Sequence, residues 1–118
     1  MADKKKVVYI AGPITGVEEY WKPFEKAEDN LTALGYIPLS PARLPQGMSN
    51  AQYMRICFAM IDSADAVLVL THRYSPGVGV EADYCNYIGK PVVMTSPDGT
   101  GSHLAYARLK QDLQEVLT

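Results

Sequence analysis

Residues 75–81, "SPGVGVE", set a carboxylate behind a proline and two glycines. Gly77 and Gly79 remove side-chain bulk, so a ligand can approach the backbone there. Ser75 carries a hydroxyl able to donate to a phosphate oxygen. Glu81 is expected in the first turn of a helix beginning near residue 79, where the macrodipole favours an ionised carboxylate. An ionised carboxylate in a partly enclosed site is the nucleophile of retaining glycosyl transfer, which passes through a covalent glycosyl ester. The same residues also have a plain structural reading, since acids in first turns stabilise helices without doing chemistry.

A second glycine-bearing stretch, "AGPITG" (residues 11–16), follows an apolar run and precedes a helical pattern. Its amides can point at an anion with the helix N-terminus behind them. It lacks the GxxxxGK[ST] and GxGxxG spacings, so it is neither a P-loop nor a dinucleotide fingerprint. A generic glycine turn fits it as well. Tyr9 lies on the apolar run just before this loop, where its phenol can hydrogen-bond Glu81 and fix its rotamer. Core filling with a satisfied hydroxyl is the commoner fate of a strand tyrosine.

Alternating strands and helices are required to bring these pieces together. "KVVYIAG" (6–12) reads as a buried strand ended by glycine. Tyr20, Phe24, Ala27, Leu31 and Leu34 recur at helical spacing over 18–34, and Gly35 closes that helix. "YIPLSP" (36–41) is a weaker extended segment, followed by a loop at 42–50. Ser49 or Asn50 caps a second helix running to about Ser63, with Tyr53, Cys57 and Met60 or Ile61 inward. "DAVLVLT" (65–71) is the clearest strand, a third helix spans about 79–88, and "PVVMTS" (91–96) is the fourth strand. A last helix over 102–117 presents Tyr106, Leu109, Leu113 and Val116 on one side. The order β-α-β-α-β-α-β-α predicts an α/β domain, a doubly wound parallel sheet of the flavodoxin/Rossmann-like kind, with residues 1–118 forming a single domain. In such sheets ligands bind beyond the carboxyl ends of the strands, and both glycine-bearing loops are of that kind.

Composition narrows the function. A net charge of −2, with Lys4-Lys5-Lys6 as the one basic cluster, argues against nucleic acid as a partner. No run of about 20 apolar residues is present, and the start has no signal-peptide pattern, so a cytoplasmic protein without membrane contact is expected. Cys57 and Cys85 then read as reduced thiols, and neither has metal-ligand spacing to the other or to His72 or His103. No metal is expected.

The ordered set "YIAGPITG", "SPARLP", "YMRICFAMIDSADAVLVL" and "SPGVGVEADYCNYIGKPVV" resembles the nucleoside 2-deoxyribosyltransferase-like superfamily over about residues 7–95. That group includes nucleoside 2-deoxyribosyltransferases, 2′-deoxynucleoside 5′-monophosphate N-glycosidases, and small phage- and prophage-associated relatives of unknown function, the branch this chain is most similar to. The resemblance implies that Glu81 is the catalytic nucleophile and Tyr9 the tyrosine that orients it. It implies that Gly12, Ile14 and Gly16 line the sugar-phosphate site, to which Pro13 of the same loop, Ser75 and the bare backbone of Gly77 and Gly79 are expected to contribute. Ser75 stands where transferases of free nucleosides carry an aspartate and the monophosphate hydrolases a serine. A serine can donate to a phosphate dianion that an aspartate would repel.

One departure bears on activity. The position eight residues before Asp65 holds an aspartate in active members and Cys57 here. Arg55 and Asp62 are close in sequence, but helical geometry turns them about 200° and 140° away from position 57. Base departure would then rest on the base's own basicity or on a donor such as Arg55 or His72.

The expected function is cleavage of the N-glycosidic bond of a 5′-mononucleotide, 2′-deoxy by the resemblance, by hydrolysis or base transfer through glycosyl-Glu81, with no cofactor. A nucleotide-binding protein that has lost catalysis, acting as a sensor or sequestering agent, uses the same pocket and stays open. A flavodoxin- or receiver-like module is disfavoured by the lack of an acidic pair after the first strand. The expected partners are a small-molecule nucleotide or nucleoside and further copies of the same chain. The final helix and residues 96–103 are candidates to reach such copies, and Tyr84 and Tyr87 to face them.

Overall fold

The computed structural model describes residues 4–70, 76–94 and 103–118, with side chains described for all of these except 103–105. Strand β1 is Val7–Ala11, helix α1 Trp21–Ala33, strand β2 Ile37–Leu39, helix α2 Asn50–Ser63 and strand β3 Ala66–Val69. Helix α3 is Pro76–Ile88, strand β4 Val92–Met94 and helix α4 His103–Leu117. A short 3-10 turn, Pro41–Arg43, follows β2. The element order is the one the sequence predicts.

All strand pairs are parallel, in the order β2-β1-β3-β4. Tyr9 sits in the middle of β1, paired with Leu39 on one side and Val67 on the other. Because the chain moves from β1 out to β2 and then crosses to β3, the β1/β3 boundary is the switch point of this fold. In sheets of this kind ligands bind beyond the strands' carboxyl ends at such a boundary. Asp65 fixes this central pair at its other end. Its carboxylate accepts from the Val7 amide at 2.8 Å, and its own amide donates to the Val7 carbonyl at 2.7 Å.

Alternation along β1 and β3 splits the core into two faces. Val8, Ile10, Leu68 and Leu70 pack with Phe24, Ala27 and Leu31 of α1 and Leu109 and Leu113 of α4. Tyr9, Ala11, Val67 and Val69 pack with Cys57 and Ile61 of α2 and Cys85 of α3. Helix α2 is fixed at its start by a capping box: Ser49 accepts from the Gln52 amide, and the Gln52 side chain accepts from the Ser49 amide. On α4, Leu117 packs inward and Val116 stays exposed, the reverse of the sequence expectation for position 116. No helix among the described residues is long and apolar enough to cross a membrane.

Candidate active site

The β1 position facing α2 and α3 holds a tyrosine among small residues, and that choice shapes the site. Tyr9 is fully buried, and its hydroxyl donates to Glu81 Oε1 at 3.0 Å. Glu81 reaches the same place from α3 and is 7% exposed, the one buried carboxylate among the described residues. The third member is Cys57 of α2, whose buried thiol interacts with both Tyr9 and Glu81. Three elements thus converge on one carboxyl group beside the switch point.

Burial disfavours charge at Glu81 and pushes its pKa up to about 7, against the opposing pull of hydrogen bonds from Tyr9 and Cys57. Helix α3 begins at Pro76, so Glu81 is its sixth residue and no acid lies in its first turn. The expectation that a helix N-terminus would hold Glu81 ionised is therefore corrected. Proline is well suited to the opening position of a helix, and the two glycines after it are tolerated there. Desolvation then outweighs a dipole that fades beyond the first turn. Tyr9 is driven far above the usual phenol range, first by burial and then by the negative charge of Glu81. It stays a donor. Burial likewise raises the Cys57 thiol, leaving it protonated.

The glycine-bearing segments divide. Gly77 and Gly79 belong to the opening of α3, not to a loop, and a Cβ at Gly77 would meet nothing within 4 Å. Gly12 lies just past β1, and a Cβ there would come within 3.0 Å of Phe24 Cζ and 3.1 Å of Leu70 Cδ1. Its missing side chain therefore serves close packing on the α1 face. Pro13 is buried, Ile14 packs against the α1/α4 core, and Gly16 takes a φ of +74° in the turn closed by Val17 N to Ile14 O. The structure thus brings Tyr9, Glu81 and Cys57 together, with the 12–16 loop at the end of the same strand and its Ile14 side chain on the other face. Ser75, His72 and the 96–102 segment lie outside the described residues.

Arg55 is exposed, and Asp62 accepts a hydrogen bond from Tyr84 at 2.6 Å. The Tyr84 ring also stacks on Phe58, with centroids 4.4 Å apart and planes 12° apart. Tyr84 is therefore occupied within its own chain, whereas Tyr87 is 91% exposed. Sequence periodicity did not reveal that Phe58–Tyr84 clamp between α2 and α3, because each residue looks like ordinary helix lining on its own helix.

A family model described as a domain of unknown function (DUF4406) matches residues 6–94. No curated protein matches the chain. Among solved structures, a 2-deoxyribosyltransferase from Bacillus psychrosaccharolyticus is similar, with a TM-score of 0.65 and 28% identity over 81% of this chain and 74% of that one. A 2-desoxiribosyltransferase from Leishmania mexicana shares the fold, with a TM-score of 0.63 and 21% identity over 77% of this chain and 64% of that one.

Proposed function

We propose that this chain, which belongs to the DUF4406 family of domains of unknown function and has the fold of the 2-deoxyribosyltransferases, cleaves the N-glycosidic bond of a 5′-mononucleotide. The observation carrying this reading is a buried Glu81 carboxyl held by the Tyr9 hydroxyl at 3.0 Å beside the β1/β3 switch point. The ionised Glu81 attacks C1′, the C1′–N bond breaks with its electron pair leaving on the base, and a glycosyl ester forms. Water then opens the ester to free the sugar phosphate and restore Glu81, or a second base takes the sugar. Tyr9 holds the nucleophile's rotamer. Ser75, with the backbone of Gly12, Pro13, Ile14, Gly16, Gly77 and Gly79, receives the phosphate. The enzyme needs no metal or cofactor for this chemistry.

The test is chromatography for free base released from ribo- and deoxyribo-5′-mononucleotides, with wild type beside Glu81→Gln. Release by wild type alone supports the reading, and release undiminished by Glu81→Gln ends it. One observation favours a second reading, a nucleotide sensor or sequestering protein: Cys57 stands on the carboxyl as a protonated thiol, and a Glu81 pKa near 7 leaves only part of the nucleophile ionised at neutral pH. That reading predicts a thermal shift with nucleotide, no turnover, and binding that survives Glu81→Gln. The proposal includes self-association, since Tyr87, Ile88, Val92 and Met94 expose apolar surface on α3 and β4. A monomer mass in sedimentation would remove that part.

A further inference from the structure

Breaking a neutral N-glycoside loads an electron pair onto a ring nitrogen, so the base must gain a proton as it leaves or depart as an anion. A positioned acid contributes about 10²–10⁴-fold to such a step. Around the Glu81 carboxyl, the described groups offer little for that task. The Tyr9 hydroxyl is already committed to Oε1 at 3.0 Å. The Cys57 thiol engages the same pair, and burial makes both groups weaker acids than in water. The other buried residues of this face, among them Ala11, Val69 and the second thiol, Cys85, carry no stronger acid. The charged side chains of α2 are turned elsewhere, with Arg55 exposed and Asp62 exposed and bonded to Tyr84.

Resting on the N-glycosidase reading above, we infer that the base this site releases is one bound through a cationic ring nitrogen, as in an N-glycosyl pyridinium or an N7-alkylated purine nucleotide. For such a substrate the electron balance closes without an acid. Glu81 Oε attacks C1′, the C1′–N pair returns to the positive ring, and the base departs neutral. Water then hydrolyses the ester, and its proton goes to solvent. A buried carboxylate whose described neighbours are neutral also attracts a cationic ring more strongly than it would in water.

The experiment measures kcat/KM for matched pairs: 7-methylguanosine 5′-monophosphate against guanosine 5′-monophosphate, the same pair with 2′-deoxyribose, and nicotinamide mononucleotide beside them. The wild type should favour the methylated member of a pair by at least about 10²-fold, the low end of what a positioned acid supplies. Cys57→Asp, which installs an acid on the same wall, should narrow that ratio at least tenfold by raising release of the neutral base. A wild-type ratio within tenfold overturns the inference, and does so even if Cys57→Asp fails to fold. A folded Cys57→Asp with an unchanged ratio overturns it too. Release from no nucleotide, with a thermal shift on adding one, overturns the N-glycosidase reading and this inference with it. Equal release from charged and neutral members overturns this inference alone.

Discussion

The two faces of the sheet are built to opposite rules. Toward α1 and α4, β1, β3 and the residue after it present Val8, Ile10, Leu68 and Leu70, filled in by Phe24, Leu31 and Leu113, and the buried cluster among the described residues is apolar throughout. Gly12 is glycine there because Phe24 and Leu70 leave no room for a Cβ. Toward α2 and α3 the same strands present Tyr9, Ala11, Val67 and Val69, and among them stand two thiols and Glu81. Burying a carboxyl is costly unless it is hydrogen-bonded or protonated, and this face uses both remedies. One face is packed for stability. The other gives some of it up to hold a reactive group out of water.

The sharpest way to break that contrast is Glu81→Gln. A glutamine keeps the shape and still accepts from Tyr9, but it cannot form the glycosyl ester. Base release should fall by at least about 10³-fold, as when other enzymes lose a nucleophile, while the circular dichroism spectrum stays native. Phe24→Ala should do the reverse. It opens a cavity in the all-apolar face and should cost about 3–5 kcal/mol in urea unfolding, leaving the activity of the folded fraction intact. If Phe24→Ala lowered kcat of folded protein as much as stability, the two faces would not be separable.

A third prediction concerns pH. The folded pKa of Glu81 is about 7, above the ordinary carboxyl value of 4.5, so the native state binds this proton more tightly than the unfolded chain. The stability this contributes is fully present below about pH 4.5 and is lost as pH rises through 7. The loss is about 3 kcal/mol for a shift of this size. Activity that needs the carboxylate should rise over the same window in which stability falls. Glu81→Gln should flatten the stability profile between pH 5 and 8, as measured by denaturant midpoints. An unflattened slope would mean that the site is wetter than its 7% exposure implies.

The elements were more legible in sequence than the site they position. The continuous run at 66–70, the helical spacing of Phe24, Ala27 and Leu31, and Ser49 ahead of α2 each carry a local signal that fixes an element. The α/β order and the parallel sheet follow from them. The site was legible only in part. Tyr9 and Glu81 could be paired through the reach of a strand phenol and the resemblance, whereas Cys57 reads in sequence as an inward residue of α2 at the place of an absent aspartate, with nothing local to signal its contact with the pair. The start of α3 was misplaced: two glycines argue for a loop, yet Pro76 ahead of them opens the helix early and carries Glu81 past its first turn. The protonation state was lost with it. It depends on how deeply the carboxyl is buried, which no local pattern encodes. The Phe58–Tyr84 stack escaped for the same reason, since it joins two helices whose crossing is set by tertiary packing.

Tyr9→Phe tests the smallest and most specific part of the contrast. The ring stays, so packing on β1 is preserved, and only the hydroxyl that donates to Glu81 Oε1 is removed. A hydrogen bond to a charged group contributes about 1.5–3 kcal/mol net, so kcat should fall about 10–150-fold. The direction of the pH response carries more information than the size of the loss. Tyr9 donates to the carboxylate and so lowers the pKa that burial raises. Without it Glu81 should hold its proton to higher pH, and the rising limb of the kcat profile should move to the alkaline side of 7. A uniform drop in rate with the limb unmoved would make Tyr9 mere filling for a strand. A limb displaced upward, with much of the rate recovered at high pH, would show the phenol acting through the charge on Glu81.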